Sequence, residues 1–201
     1  RYERVELDGV TFHGVPHAHE ESRFGEELAR VEPDADSINV LMLHTSLGKR
    51  YLMEEYGERV FPDERMDMLS RFEYVALGHW HGFQKAHGAD NAWYSGATER
   101  MNDGEAGKER GFCTVKLAKG ESPLVTFHPL PARPWHRFEI ECCRDKTVEE
   151  IQREISSRGE ETAAEGAQIS VYLREILPEQ SAAVRTSWIS ERFPGALAVN
   201  V

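Results

Sequence analysis

Apolar and polar positions alternate from the start of the chain. Val5 and Leu7 alternate with charged residues, Asp8-Gly9 interrupts, and Val10 and Phe12 alternate again. An Asp-Gly step between two alternating runs predicts a hairpin. The second strand runs into HGVPHAHEESR, a polar stretch read as a loop carrying His13, His17 and His19. Ser22 is placed to cap a helix with Phe24, Leu28 and Val31 on one face, and Pro33 with the acidic cluster after it closes that helix. The run INVLMLH, from Ile38 to His44, is apolar without alternation, which predicts a strand covered on both faces. A mixed helical segment is expected from about Lys49 to Arg71, broken at Pro62, with Met66, Leu69 and Phe72 as its buried stripe. A second apolar run, Tyr74-Val75-Ala76-Leu77, ends in Gly78, and His79 and His81 follow one residue apart.

Beyond that point AWYSG reads as a short strand and TERMNDGEAGKERG as a charged loop. FCTVKLA and PLVTFHPL read as two more strands, turned at Gly120 and added beside the α/β layer. LPARPWHR, with two prolines, is the strongest linker signal in the chain. A smaller unit is expected after it. Phe138, Ile140 and Cys142 alternate as a strand. Thr147 and Glu150 have the spacing of a capping box before a helix striped by Val148, Ile151 and Ile155. Ile169, Val171 and Leu173 form another strand, a helix is expected from Glu179 to Phe193, and GALAVNV closes as a strand. This β-α-β-α-β order predicts a small α/β domain. The expected division is residues 1–131 and 132–201.

Composition narrows the class. With 201 residues, 40% of them hydrophobic and 29% charged, the chain can build a real core. A formal charge of -11 is the reverse of the basic stripe by which a free-standing protein grips phosphates, and it serves solubility. The three cysteines, Cys113, Cys142 and Cys143, have no C-x-x-C spacing, which argues against a disulfide framework or a zinc-thiolate site. A reducing, cytoplasmic setting is expected. No apolar run approaches the ~20 residues that span a bilayer. The first residue is Arg1, and the chain opens directly into a strand pattern, so a fragment of a longer protein is expected.

The chemistry concentrates at strand ends. Ligands of open α/β sheets gather beyond the carboxyl ends of the strands, and a glycine there lets the backbone approach closely. Imidazoles from one tight turn suit zinc, iron, manganese or copper. His44 ends one apolar run, and His79 and His81 follow another, so neighbouring strands would bring all three together. Three histidines supply no bridging carboxylate for two-metal hydrolysis. An early D-x-H strand, G-D-x-x-D and G-N-H-D are all absent from the sequence.

The segments INVLMLH, YVALGHWHGFQ and WYSGATERMNDGEAGKERGFCTVKL occur in an order that resembles the second half of the calcineurin-like metallophosphoesterases, nearest to the SbcD-type DNA-repair exonucleases. The resemblance covers about residues 1–131. Residues 132–201 resemble the start of that family's capping domain by position more than by motif. It implies the second half of a β-sandwich with flanking helices. His44 and His79 would be ligands to one metal and His81 to another, with two divalent ions, manganese in the family, and a bridging aspartate that this chain lacks. It also implies cleavage of DNA by metal-activated water, an SMC-like ATPase partner and a possible homodimer. No catalytic residue transfers to this chain. Arg100 would border the site and meet a phosphate, although a surface ion pair with Glu99 is the plainer expectation. His17 and His19 are expected to face solvent. His87, His128 and His136 show no convergent pattern. Trp80 and Trp135 are expected to pack, the latter at the domain junction.

The expected function is therefore part of a metal-dependent DNA exonuclease, inactive by itself. The alternatives are a degenerate phosphoesterase-like binding module and a small-molecule phosphodiesterase.

Overall fold

The computed structural model describes residues 1–18, 20–48 and 60–201. It is a mixed α/β protein of two compact units, residues 1–98 with 109–130, and residues 99–108 with 131–201.

The first unit is built on a six-stranded sheet in the order β1-β2-β3-β4-β6-β5. These strands are β1 Glu3–Leu7, β2 Val10–Gly14, β3 Ile38–His44, β4 Tyr74–Gly78, β5 Gln84–Lys85 and β6 Ala92–Tyr94. β1 and β2 form the Asp-Gly hairpin, and both turn residues have positive φ, 50° at Asp8 and 78° at Gly9. That is the backbone of the turn whose twist matches paired strands. β2, β3, β4 and β6 run parallel. One face of this sheet carries the core, where Leu41, Leu43, Val75 and Leu77 meet Phe24 and Leu28 of helix α1 (Glu21–Leu28), Phe61 and Leu69. The cap of α1 is Glu20 rather than Ser22, and no side chain makes a capping bond there. A 3-10 helix, Asp63–Arg71, buries Leu69. The expected helical content between residues 49 and 59 lies outside the described residues, as does His19. β3 is not covered on both faces, because Met42 is 48% exposed.

Two further strands, β7 Arg110–Lys116 and β8 Leu124–Leu130, pair as an antiparallel hairpin and, among the described residues, with no other strand. Phe127 of β8 stacks on Phe83 at 4.8 Å, and Phe83 stacks on Trp93 of β6 at 5.5 Å. Cys113 of β7 meets the phenol of Tyr74 on β4, whose pKa is driven up mainly by burial. The hairpin therefore lies over part of the sheet face opposite the core.

His13 belongs to β2 rather than to a loop, and it is fully buried. Asn39 fixes its tautomer. The Asn39 amide donates to the carbonyls of Asp34 and Ser37, and its oxygen accepts from the Asp34 N–H. That oxygen must also accept from His13 Nε2 at 3.0 Å, so Nδ1 accepts from the Tyr2 hydroxyl at 2.8 Å. Burial holds the pKa of His13 below its ordinary 6.5. The sign follows from linkage: the unfolded chain takes up a proton as pH falls through 6.5 while the folded chain does not. Stability conferred above that pH is expected to decline from there downwards until the folded pKa is passed. Urea midpoints at neutral pH and at mildly acid pH should show the drop, and His13→Leu should flatten it; an equal drop in that variant would assign it elsewhere.

The second unit is a three-stranded parallel sheet in the order β11-β10-β9, from β9 Trp135–Ile140, β10 Gln168–Leu173 and β11 Ala198–Asn200. Helix α2, Val148–Glu161, starts on a capping box, with Glu150 N–H donating to Thr147 Oγ1 at 3.2 Å and Thr147 N–H to the Glu150 carboxylate at 2.8 Å. Ile151 and Ile155 of α2 pack with Ile140, Ile169 and Phe193. Where one helix was expected there are two, α3 Pro178–Ala183 and α4 Thr186–Ser190, because Val184 leaves helical geometry with ψ 73°. The strand expected through Cys142 ends at Ile140, and Cys142 is left-handed at φ 53°.

Residues 99–108, expected in the first domain, belong to the second. The loop has few apolar residues to bury and is held by polar bonds. The Glu99 carboxylate accepts from the N–H groups of Arg100 and Arg133, which keeps its pKa low. Asp103 faces Arg137 at 3.6 Å.

Candidate functional site

Three adjacent parallel strands, β2, β3 and β4, release their chains at the same end of the sheet, and a histidine follows or closes each. His44 is the last residue of β3 and pairs in register with Gly78, the last residue of β4. His17 follows β2 by three residues. The His44 ring lies 5.5 Å from that of His79 and 5.9 Å from that of His17, edge-on in both cases. His81 is close enough to act electrostatically on His44. Of the imidazoles expected to converge, His44 and His79 are neighbours, and His17, expected to face solvent, lies beside His44.

Gly78 is explained by His44. A Cβ built on Gly78 would lie 2.8 Å from His44 Nδ1. Only a residue without a side chain lets the imidazole fold across the end of β4. Gly78→Ala is expected to displace the His44 ring at a cost of about 1–3 kcal/mol, leaving the strand in place. The His44 ring resonances should move while those of buried His13 stay fixed. Unmoved His44 resonances would refute the steric account.

The turn is strained at its next residue. His79 has φ 94°, a region that favours glycine. A non-glycine residue there costs ~1–3 kcal/mol and persists only where the surroundings impose it. They do so on both sides. Trp80 lies against the His79 ring at 5.4 Å and donates from Nε1 to Ser46 Oγ at 3.0 Å. The His81 carbonyl accepts from the Ala97 N–H at 3.1 Å and from Arg110 Nη1 at 2.7 Å. Arg110 is only 2% exposed, so a buried guanidinium pins the far side of the turn. The loop after β3 is tied in by Tyr94, whose hydroxyl accepts from Leu47 N–H at 2.8 Å and reaches the Thr45 carbonyl at 3.3 Å.

Partial burial, and then the neighbouring His79, His17 and His81, hold the pKa of His44 below its ordinary value. The ring is therefore neutral at physiological pH, the form that binds metals. The donor set is short, however. Among the described residues, no group of three or more His, Cys, Asp or Glu side chains is placed to hold a metal ion. The imidazole chemistry suits a borderline divalent cation, but these residues do not make a complete site.

His17 and His44 border an open depression of about 650 Å³ lined also by Gly14, Met42 and Ser95. A second depression of about 470 Å³ lies at the other end of the sheet. Its polar groups are committed to structure. Glu73 accepts from the N–H groups of Asn39 and Gly120 and faces Lys119 at 3.2 Å. Burial works against its charge, yet these bonds keep its pKa low. Asn91 donates to the carbonyls of Leu69 and Phe72.

Arg100 is placed in the second unit, where its guanidinium donates to the carbonyls of Arg133 at 2.5 Å and Lys108 at 2.9 Å. Glu99 binds backbone N–H groups and not that guanidinium. Trp135 donates to Ser170 Oγ within the second unit. His128 stacks on Phe112 and bonds Thr114, and His136 stacks on Phe138. His87 is exposed. Sequence reasoning missed Arg110, because an arginine between Glu109 and Gly111 in a charged stretch reads as solvated.

No family model matches the chain. Among the described residues, no helix is long and apolar enough to cross a membrane.

Proposed function

We propose that the first unit is the imidazole side of a metallophosphoesterase site of SbcD type, with His44, His79 and His81 as its contribution to metal binding. In this reading the first unit is the second half of the family's β-sandwich, and the second unit is a capping-like domain. The observation that carries it is the strained His79 beside a neutral His44, held by Gly78 and by the buried Arg110. Strain kept at a cluster of metal-ligating side chains is a functional signature, since stability alone would remove it.

The D-x-H, G-D-x-x-D and G-N-H-D motifs that carry such a site's other ligands in the family are absent from these 201 residues. The chain alone is therefore inactive, and the working enzyme is a longer polypeptide that cuts phosphodiester bonds in DNA with two divalent cations, manganese by resemblance. An SMC-like ATPase partner, a possible homodimer and a cytoplasmic location belong to the same reading. Arg100 enters it only as a phosphate contact of the longer protein.

The test is metal content and manganese-dependent hydrolysis by the full-length gene product, with linear DNA and a small aryl phosphodiester side by side. The paired variant His79→Ala, His81→Ala should lose bound metal, and activity should fall by more than about a hundredfold. Unchanged metal stoichiometry in that variant removes the assignment. Hydrolysis of the aryl ester without DNA cleavage moves the substrate class. The rival reading, a phosphoesterase-like module without catalysis, is favoured by the lack of any three ligands around one point among the described residues. It wins if the full-length protein binds DNA or a protein and holds no metal.

A further inference from the structure

The six-stranded sheet ends at β1 on one side and at β5 on the other. The two edges differ. β5 is two residues long and carries Lys85, and so short a charged edge offers little to pair with. β1 is five residues long, and every one of them is exposed. It pairs one to one with β2 from Glu3 to Leu7, so no bulge twists the edge away, and it contains no proline. Among the described residues, no strand lies against its outer side.

The hairpin decides which backbone groups face outward. A two-residue turn is closed by a hydrogen-bonded pair, here Leu7 and Val10. Glu3, Val5 and Leu7 therefore direct their N–H and C=O groups to β2, and Arg4 and Glu6 direct theirs away from it. Tyr2, the next in the outward series, already donates its N–H to the Glu27 carboxylate at 2.7 Å. Arg4 and Glu6 are left as the pairing groups of this edge.

Their side chains select the occupant. Outward residues must meet outward residues, so an added antiparallel strand can shift its register only in steps of two. With a second copy of β1 related by a two-fold axis, three registers engage Arg4 and Glu6. One sets Arg4 against Arg4 and another sets Glu6 against Glu6, and like charges directly opposite each other repel. The third is centred on Val5 and sets Arg4 against Glu6 of the other copy, once on each side of the axis. It also brings together the two Val5 side chains, each 57% exposed. Leu7 stands opposite Glu3 in this register, a pairing that contributes little.

We propose that a second copy of this chain pairs with the outer edge of β1, antiparallel and centred on Val5, so that two six-stranded sheets join as one. Arg4 also bonds Asp34 of its own chain at 2.6 Å, and a guanidinium with five donors can serve both carboxylates. The contact is isologous, so it stops at two copies. Five residues a side bury less than the ~800 Å² per partner of a standard interface, so the pair is weak and depends on concentration. This edge carries none of the clustered histidines, and its pairing is independent of the proposed function.

Sedimentation equilibrium over a dilution series, with amide exchange by NMR, tests this on the 201-residue chain. Mass should rise from one chain toward two. Over the same range the amides of Arg4 and Glu6 should gain protection, while those of Val5 and Leu7, bonded to β2, are protected at every concentration. Glu6→Arg sets arginine against arginine and should weaken association by about tenfold or more. Adding Arg4→Glu restores opposite charges and should restore the pair. Glu6→Pro removes an outward N–H that the single chain does not use, so that variant should fold and stay single. One chain's mass at all concentrations overturns the proposal. So does a dimer whose Arg4 and Glu6 amides stay unprotected, or one that Glu6→Arg leaves intact, since the copies then meet elsewhere. A double variant that folds, by circular dichroism, yet does not recover the pair overturns it as well.

Discussion

Arg110→Ala is expected to unfold the first unit several degrees early and to loosen the histidine turn before it does so. The side chain is among the largest that are fully buried, and its Nη1 holds the His81 carbonyl. Truncation leaves a cavity under the turn and removes a charge-assisted bond, which together cost about 3–5 kcal/mol. Arg110→Lys should recover only part of this, since an ammonium cannot replace a planar fork of five donors. Calorimetry gives the stability loss. Near-ultraviolet dichroism, which senses the ring of Trp80 against His79, should change below the melting transition. If Arg110→Ala melts like the parent chain, the guanidinium is not what fixes the strained turn.

Gly159→Ala should damage the second unit to a similar extent and leave the first intact. Gly159 lies on α2, and a Cβ there would meet the Arg192 carbonyl oxygen at 2.2 Å. The obstacle is backbone, so no rotamer relieves it. Alanine is otherwise the better helix former, by up to ~1 kcal/mol, and that gain is outweighed by about 3 kcal/mol of overpacking. The segment after α4 must move, carrying Arg192 away from the Trp188 ring it covers at 4.4 Å. Tryptophan fluorescence should report the shift at Trp188, and the second unit should melt roughly 10 °C earlier. A variant as stable as the parent would mean that α2 and the Arg192 segment are not packed this closely.

What could be read without coordinates was whatever local patterning controls. The apolar runs of β3 and β4, the Asp-Gly turn and the Thr147–Glu150 box each depend on neighbours within a few residues. The convergence of His44 with His79 also followed, because two buried runs ending in histidine needed only to be adjacent. The rest depends on distant partners. The His13 network requires Tyr2 and Asn39, 11 and 26 residues away, and a histidine beside Phe12 gives no sign of it. The burial of Arg110 and the transfer of residues 99–108 to the second unit are tertiary choices written over a charged stretch. The exposure of Met42 contradicts an apolar run that promised two covered faces.

The parallel pairing of β2, β3 and β4 has one more consequence. Adjacent strands lie ~4.8 Å apart wherever their ladders are intact. The imidazoles hung from their ends are separated by 5.9 and 5.5 Å, close to that interval. The backbone thus serves as a ruler for the cluster. Side-chain torsions can tilt or shift a ring, but the strand ends from which the histidines depart keep the hydrogen-bond spacing as long as the strands remain side by side.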